Sequence, residues 1–323
     1  MTTVTFLNLK NSLKEKVAPV YVVSGNDGYL VNKAVQQVVS NLDIQNETLN
    51  LQTFTSENTF DEIMMSVATF PFFSNQKGIV AYDVANAKVT PSVAKKMCES
   101  LEKFIRNADG SVCLVLVTQS AIFDKLDVVK VVCDRLSRYE VVRWITQFCK
   151  REKVEIDDRT AGKIADYCLC DMSRISLEAK KLCDYCQEKI TEEDVELHVH
   201  KDTEFVVFNL ANAISAGDAS KSMQVLDFLF ERGEKAHAIF GALYSTFRRM
   251  YYLRTSNYST QQLAQFLGVK ENSFYHVGDS ALSYKPMQLR RALRRFHETS
   301  KKLATFANEK ETIRLLVFTL LSL

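Results

Sequence analysis

The stretch VAPVYVVSGNDGYLVNKAVQQV, residues 17–38, decides how the chain is read. Its first half is a short apolar run ending at Gly25. Its second half places Leu30, Ala34 and Val38 on one helical stripe. A strand that turns on glycine into a helix is where a P-loop protein cradles phosphates, using Gly-x-x-x-x-Gly-Lys-Ser/Thr. Counted from Gly25, the second glycine is Leu30, the lysine is Val31 and the hydroxyl is Asn32. Lys33, close by, reads as a solvated side chain on the first turns of a helix. The order of elements suggests an ATPase, and the residues at the decisive positions deny it.

The same alternation continues for about a hundred residues. TLNLQTF (48–54) alternates around Leu49, Leu51 and Phe54 and predicts a strand with one buried face. In TFDEIMMSVA (59–68), Thr59 and Glu62 have capping-box spacing, and Phe60, Ile63, Met64 and Val67 share a face. KGIVAYDV (77–84) predicts another strand. Thr90 and Pro91 read as the N-cap and first position of a helix, and SVCLVLVTQ (111–119) is the continuous apolar run of a buried strand. Strands alternating with helices imply a parallel α/β sheet. After about Ser137 the strand signals stop. Short helical patterns with polar breaks run to about residue 202, and longer ones, interrupted at AGD, RGE and VGD, run to the C-terminus. We therefore expect three domains: α/β over 1–138, a small helical lid over 139–202 and an all-α domain over 203–323.

Composition bounds the function. The chain has 323 residues, 46% hydrophobic and 25% charged, with a net charge of +2. This suits a soluble protein of several domains, and no apolar run is long enough to cross a bilayer. The N-terminus lacks the basic start and apolar middle of a secretory signal, so a cytoplasmic location is expected, with eight cysteines as thiols. Residues 241–323 hold 13 Lys and Arg against 5 Asp and Glu, so the C-terminal part is basic while the rest is net acidic. Within it, QLRRALRRFHETSKK (288–302) sets Arg290 with Arg294 and Arg291 with Arg295 in adjacent i,i+4 rows, opposite a stripe of Leu289, Leu293 and Phe296. Such a face either runs along phosphates or is simply solvated.

Cys168, Cys170, Cys183 and Cys186 give C-x-C and C-x-x-C, which could supply four thiolates to zinc; on amphipathic helices they read as small buried hydrophobes. His198 and His200, at i,i+2, are poorly placed to act together and are expected in a loop. Cys149 beside Lys150 has no evident partner base. No catalytic site is expected.

In TFPFFSNQKGIVAYDV (69–84), Pro71 forces Phe70 out of the helical region, so the preceding helix ends near Ala68 and the chain turns before the strand. Phe72 and Phe73 then stand at the tip of an ordered element. With SNQKG as a solvent-facing turn beside them, at least one ring should be exposed.

In series, APVYVVSGNDGYLVNKAV, FPFFSNQKGIVAYDV, CDMSRISLEAKKLCDYCQEKITEEDVE and the segment from VFNLANAISAGD to RRMYYLR resemble the delta subunit of bacterial DNA polymerase III, a clamp-loader component. The resemblance covers nearly the whole chain in the right order. It implies an AAA+-like domain without nucleotide binding, a lid and an oligomerising collar, with no cofactor and no metal. The implied partners are the sliding clamp (the beta subunit), the delta-prime and tau/gamma ATPase subunits of a hetero-oligomeric ring, and primed DNA through the complex. Phe72 and Phe73 match the family's apolar pair that enters a pocket of the clamp, and Phe306 falls near where some members present an aromatic to the template. The alternatives are a stand-alone nucleic-acid-binding protein using the basic C-terminal part, and a divergent ATPase.

Overall fold

The apolar run at 112–117 is inaccessible along nearly its whole length because its strand lies inside a parallel sheet covered on both faces. The computed structural model describes residues 2–83, 89–269, 271–274, 277–305 and 308–323. The chain divides into two compact units, Met1–Arg135 and Leu136–Leu323.

In the first unit the described elements are, in order, β1 (Thr2–Thr5), α1 (Phe6–Glu15), β2 (Val20–Ser24), α2 (Gly28–Val39), α3 (Glu47–Asn50), β3 (Leu51–Phe54), α4 (Phe60–Val67), β4 (Lys77–Tyr82), α5 (Pro91–Asn107), β5 (Val112–Val117) and β6 (Val129–Val132). The strands pair in the order β1-β6-β2-β5-β4-β3, every pair parallel. The expected α/β class therefore holds. Alternation along the strands sends Val20, Val22, Ile79, Ala81, Leu114 and Leu116 to one face, where Ile63 and Val67 of α4 and Met97 and Leu101 of α5 complete a core. Tyr21, Val23, Val80 and Val115 point to the opposite face and are equally buried.

Two readings of this unit change. The predicted strand 48–54 is shortened to four residues, because Glu47–Asn50 closes a helical turn and pairing with β4 begins at Leu51. The turn SNQKG is only partly solvent-facing: Lys77 is 3% exposed and is the first residue of β4. The capping box at Thr59 and Glu62 forms as the spacing requires, and α4 ends at Val67.

Among its described residues, the second unit is helical: α6 (Arg138–Arg151), α7 (Asp158–Tyr167), α8 (Met172–Cys186), α9 (Glu192–His198), α10 (Thr203–Ser215), α11 (Ala219–Glu231), α12 (Ala236–Thr255), α13 (Thr260–Leu267), α14 (Val277–Leu282), α15 (Pro286–Leu303) and α16 (Glu309–Leu321). Capping boxes at Ser137, Thr191 and Ser259 start three of them. Helices α10–α12 and α14–α16 share one core, in which Phe296 meets the rings of Phe240, Tyr244 and Phe247 at centroid distances of 5.5–5.7 Å. AGD and RGE separate helices as expected. VGD does not: it opens α14, and the breaks fall instead on either side of α13.

Candidate contact site

The loop after β2 stands where a P-loop would lie. Asp27 N-caps α2, its carboxylate accepting from the backbone amides of Tyr29 (3.0 Å) and Leu30 (3.1 Å). The chain's own anion thus takes the helix N-terminus that a P-loop leaves to phosphate. The loop is stitched to the end of β6: the Asp27 amide donates to the Cys133 carbonyl at 3.2 Å, and the Arg135 amide donates to Asn26 Oδ1 at 2.9 Å. Gly25 is required there, because a Cβ would lie 2.2 Å from the Cys133 backbone. Lys33 extends to Gln36 and lies over the Tyr29 ring, on the surface.

The second site is the tip between α4 and β4. Phe70, Phe72 and Phe73 are 81%, 57% and 78% exposed, so both members of the aromatic pair face outward, and Met65 of α4 is exposed as well. The rings of Phe72 and Phe73 meet edge to face at 4.6 Å. The tip is held by buried polar groups. Asn50, 1% exposed at the end of α3, accepts from the Phe72 amide at 2.7 Å and donates to the Phe72 carbonyl at 2.9 Å; the same Nδ2 also donates to the Gln45 carbonyl at 2.7 Å. Phe73 then takes φ = +48°, a left-handed conformation that an aromatic residue adopts only where its surroundings impose it. Beyond it, the Ser74 hydroxyl accepts from the Gln45 amide, and the Gln76 side chain bridges the Asp43 amide and the Gly110 carbonyl.

On the helix side, the Lys77 ammonium donates to the Ser66 carbonyl (2.9 Å), the Ser66 hydroxyl (3.0 Å) and the Thr69 hydroxyl (2.7 Å). It neutralises the C-terminal end of α4, and burial pulls its pKa below the ordinary lysine value. Sequence reasoning identified the two rings and missed Asn50 and Lys77. A lysine opening an apolar strand was a visible signal for the second. Nothing local marks Asn50, whose principal partner lies 22 residues away.

The remaining candidates are scattered. Arg290, Arg291, Arg294 and Arg295 are exposed on α15 while Leu289 and Phe296 are buried, and Arg295 pairs with Glu298 at 2.8 Å. Phe306 lies outside the described residues. Cys168 and Cys183 are buried, and burial pushes the Cys168 thiol up to about 12. Cys183 donates to Cys149 at 3.6 Å across α8 and α6. Among the described residues, no group of three or more His, Cys, Asp or Glu could hold a metal ion. Cys149 is inaccessible and its pKa is raised by burial, which makes it a poor nucleophile. His198 ends α9 against the Tyr185 ring rather than standing in a loop; His200 is in the following loop, beside Arg232. No described helix is long and apolar enough to cross a membrane.

A parallel α/β body with its own carboxylate at the P-loop position, carrying a pinned and exposed aromatic tip, defines an ATPase-like fold whose phosphate site is filled by the chain itself. The sequence profile described as "DNA polymerase III, delta subunit" matches residues 21–138, and that described as "DNA polymerase III delta subunit, C-terminal domain" matches residues 204–320, together well over half of the chain. The chain belongs to the DNA polymerase III delta-subunit family. It is 24% identical to the DNA polymerase III subunit delta of Bacillus subtilis (strain 168), over 94% of this chain and 93% of that one. It is 23% identical to the probable DNA polymerase III subunit delta of Aquifex aeolicus (strain VF5), over 78% and 76%. The solved Bacillus subtilis DNA clamp loader delta protein superposes with a TM-score of 0.78 at 22% identity, covering 98% of this chain and all of that one. The fold is accordingly AAA+-like, followed by a helical C-terminal domain.

Proposed function

We propose that this chain binds the ring-shaped sliding clamp of the replicative polymerase and opens it for loading onto primed DNA. The observation that carries this reading is the outward pair Phe72 and Phe73 on a tip fixed by Asn50. An exposed aromatic anchor that fills a partner's pocket is the kind of contact that dominates an interface, worth roughly 2 kcal/mol or more on truncation. Because the tip is already ordered, little entropy is lost on docking, and more of the contact energy is available to act on the ring.

On this reading the chain does no bond chemistry. It works within a DNA polymerase III holoenzyme that performs nucleotidyl transfer, in the cytoplasm, in a hetero-oligomeric ring with delta-prime and tau/gamma ATPase subunits. Residues 1–138 bind the clamp, 139–202 form the lid and 203–323 the collar. Arg290, Arg291, Arg294 and Arg295, with Phe306, contact primed DNA held by the complex. The exposure of all four arginines on one helix supports that contact.

The test is clamp opening in a reconstituted loader, followed by a fluorophore pair across the clamp's subunit interface. Wild type separates the pair, whereas Phe72→Ala with Phe73→Ala leaves it together while still assembling with its partner subunits. Normal opening by the double variant would reject the reading.

A further inference from the structure

Asn50 is the only buried polar side chain that grips the tip's main chain at the level of the aromatic pair among the described hydrogen bonds. It meets both backbone groups of Phe72, as a neighbouring strand would, yet Phe72 belongs to no strand. Its own position is fixed: it ends α3, its Nδ2 also reaches the Gln45 carbonyl, and β3 begins at the next residue. The grip therefore transmits the rigidity of the sheet edge to a segment without regular structure.

Its consequence falls on the next residue. With Phe72 fixed at N and O, the chain turns through the left-handed conformation at Phe73, which throws the second ring against the edge of the first. Two adjacent rings both facing outward is not what free alternation along an extended chain gives. It requires the peptide between them to be held.

We propose that Asn50 is a positioning residue for clamp engagement, setting the joint orientation of Phe72 and Phe73 before the clamp arrives. This rests on the clamp-binding reading above. Without Asn50 the tip samples other arrangements, and the clamp selects one of them at a cost in affinity. The role differs from ordinary support of the fold, because the loss should appear in clamp affinity even where the chain is fully folded, and only when the rings are present.

The experiment compares Asn50→Ala, Phe72→Ala/Phe73→Ala and the triple variant, measuring amide hydrogen exchange in the free chain and equilibrium affinity for the clamp. The expected result is that Asn50→Ala releases the Phe72 amide while β5 amides stay protected. It should weaken clamp binding on the order of tenfold in the wild-type background and by less than about twofold in the background lacking both rings. If Asn50→Ala does not fold, Asn50→Ser, which leaves a small hydroxyl in the site, carries the same comparison. Clamp affinity unchanged by Asn50→Ala, with the Phe72 amide released and the double variant still defective, overturns the positioning role and leaves the clamp-binding reading standing. Wild-type affinity in Phe72→Ala/Phe73→Ala overturns both.

Discussion

Lys77 Nζ lies 2.7 Å from Thr69 Oγ1, tying the first residue of β4 to the chain that has just left α4. The two ends of the segment between α4 and β4 are therefore joined by a buried cation whose described hydrogen-bond partners are all neutral oxygens. Burial depresses the pKa of this lysine. Between that depressed value and the ordinary 10.5, the unfolded chain binds the proton more fully than the folded one, so the Lys77 contribution to stability rises with pH in that window. Urea unfolding of wild type and Lys77→Met across it should show wild type gaining stability relative to the variant as pH approaches 10.5. A difference independent of pH would mean that the lysine titrates normally.

The parts of the fold legible in the sequence are those whose signals are local. The apolar run of β5, the capping box of α4 and the Pro71 stop all formed where their residues placed them. What escaped is held by distant partners. β1 is an edge strand of three threonines and a valine, largely exposed, and exists through its pairing with β6. β6 is four residues with a lysine inside, too short to show a period. Phe72 and Phe73 could be read as a tip, but the amide that fixes them, Asn50, lies on another element and looks like any loop asparagine.

Gly25 offers a test of the remodelled loop after β2. Gly25→Ala drives a methyl group into the Cys133 backbone, where no side chain can yield. It should destabilise the first unit by about 3 kcal/mol, beyond the usual cost of glycine replacement. Denaturant unfolding measures this, and a loss under about 1 kcal/mol would show that the loop can detach from β6 at little cost.

The basic face of α15 makes a separable prediction. Arg290→Glu with Arg294→Glu replaces two exposed cations and leaves Leu289 and Phe296 in place. In the assembled loader, primed-DNA affinity should fall, and the slope of log affinity against log salt should decrease by about 2. An unchanged slope would assign this face to solvent or to protein contacts.

The central claim is that Phe72 and Phe73 are the clamp anchor. The equilibrium dissociation constant of the chain for its clamp, measured for wild type and for Phe72→Ala/Phe73→Ala, tests it most directly. Circular dichroism and assembly with the partner subunits establish that the variant is folded. Both rings are exposed, so their removal should leave stability nearly unchanged, while binding weakens by more than about tenfold. Affinity within about twofold of wild type in a folded double variant would contradict the account.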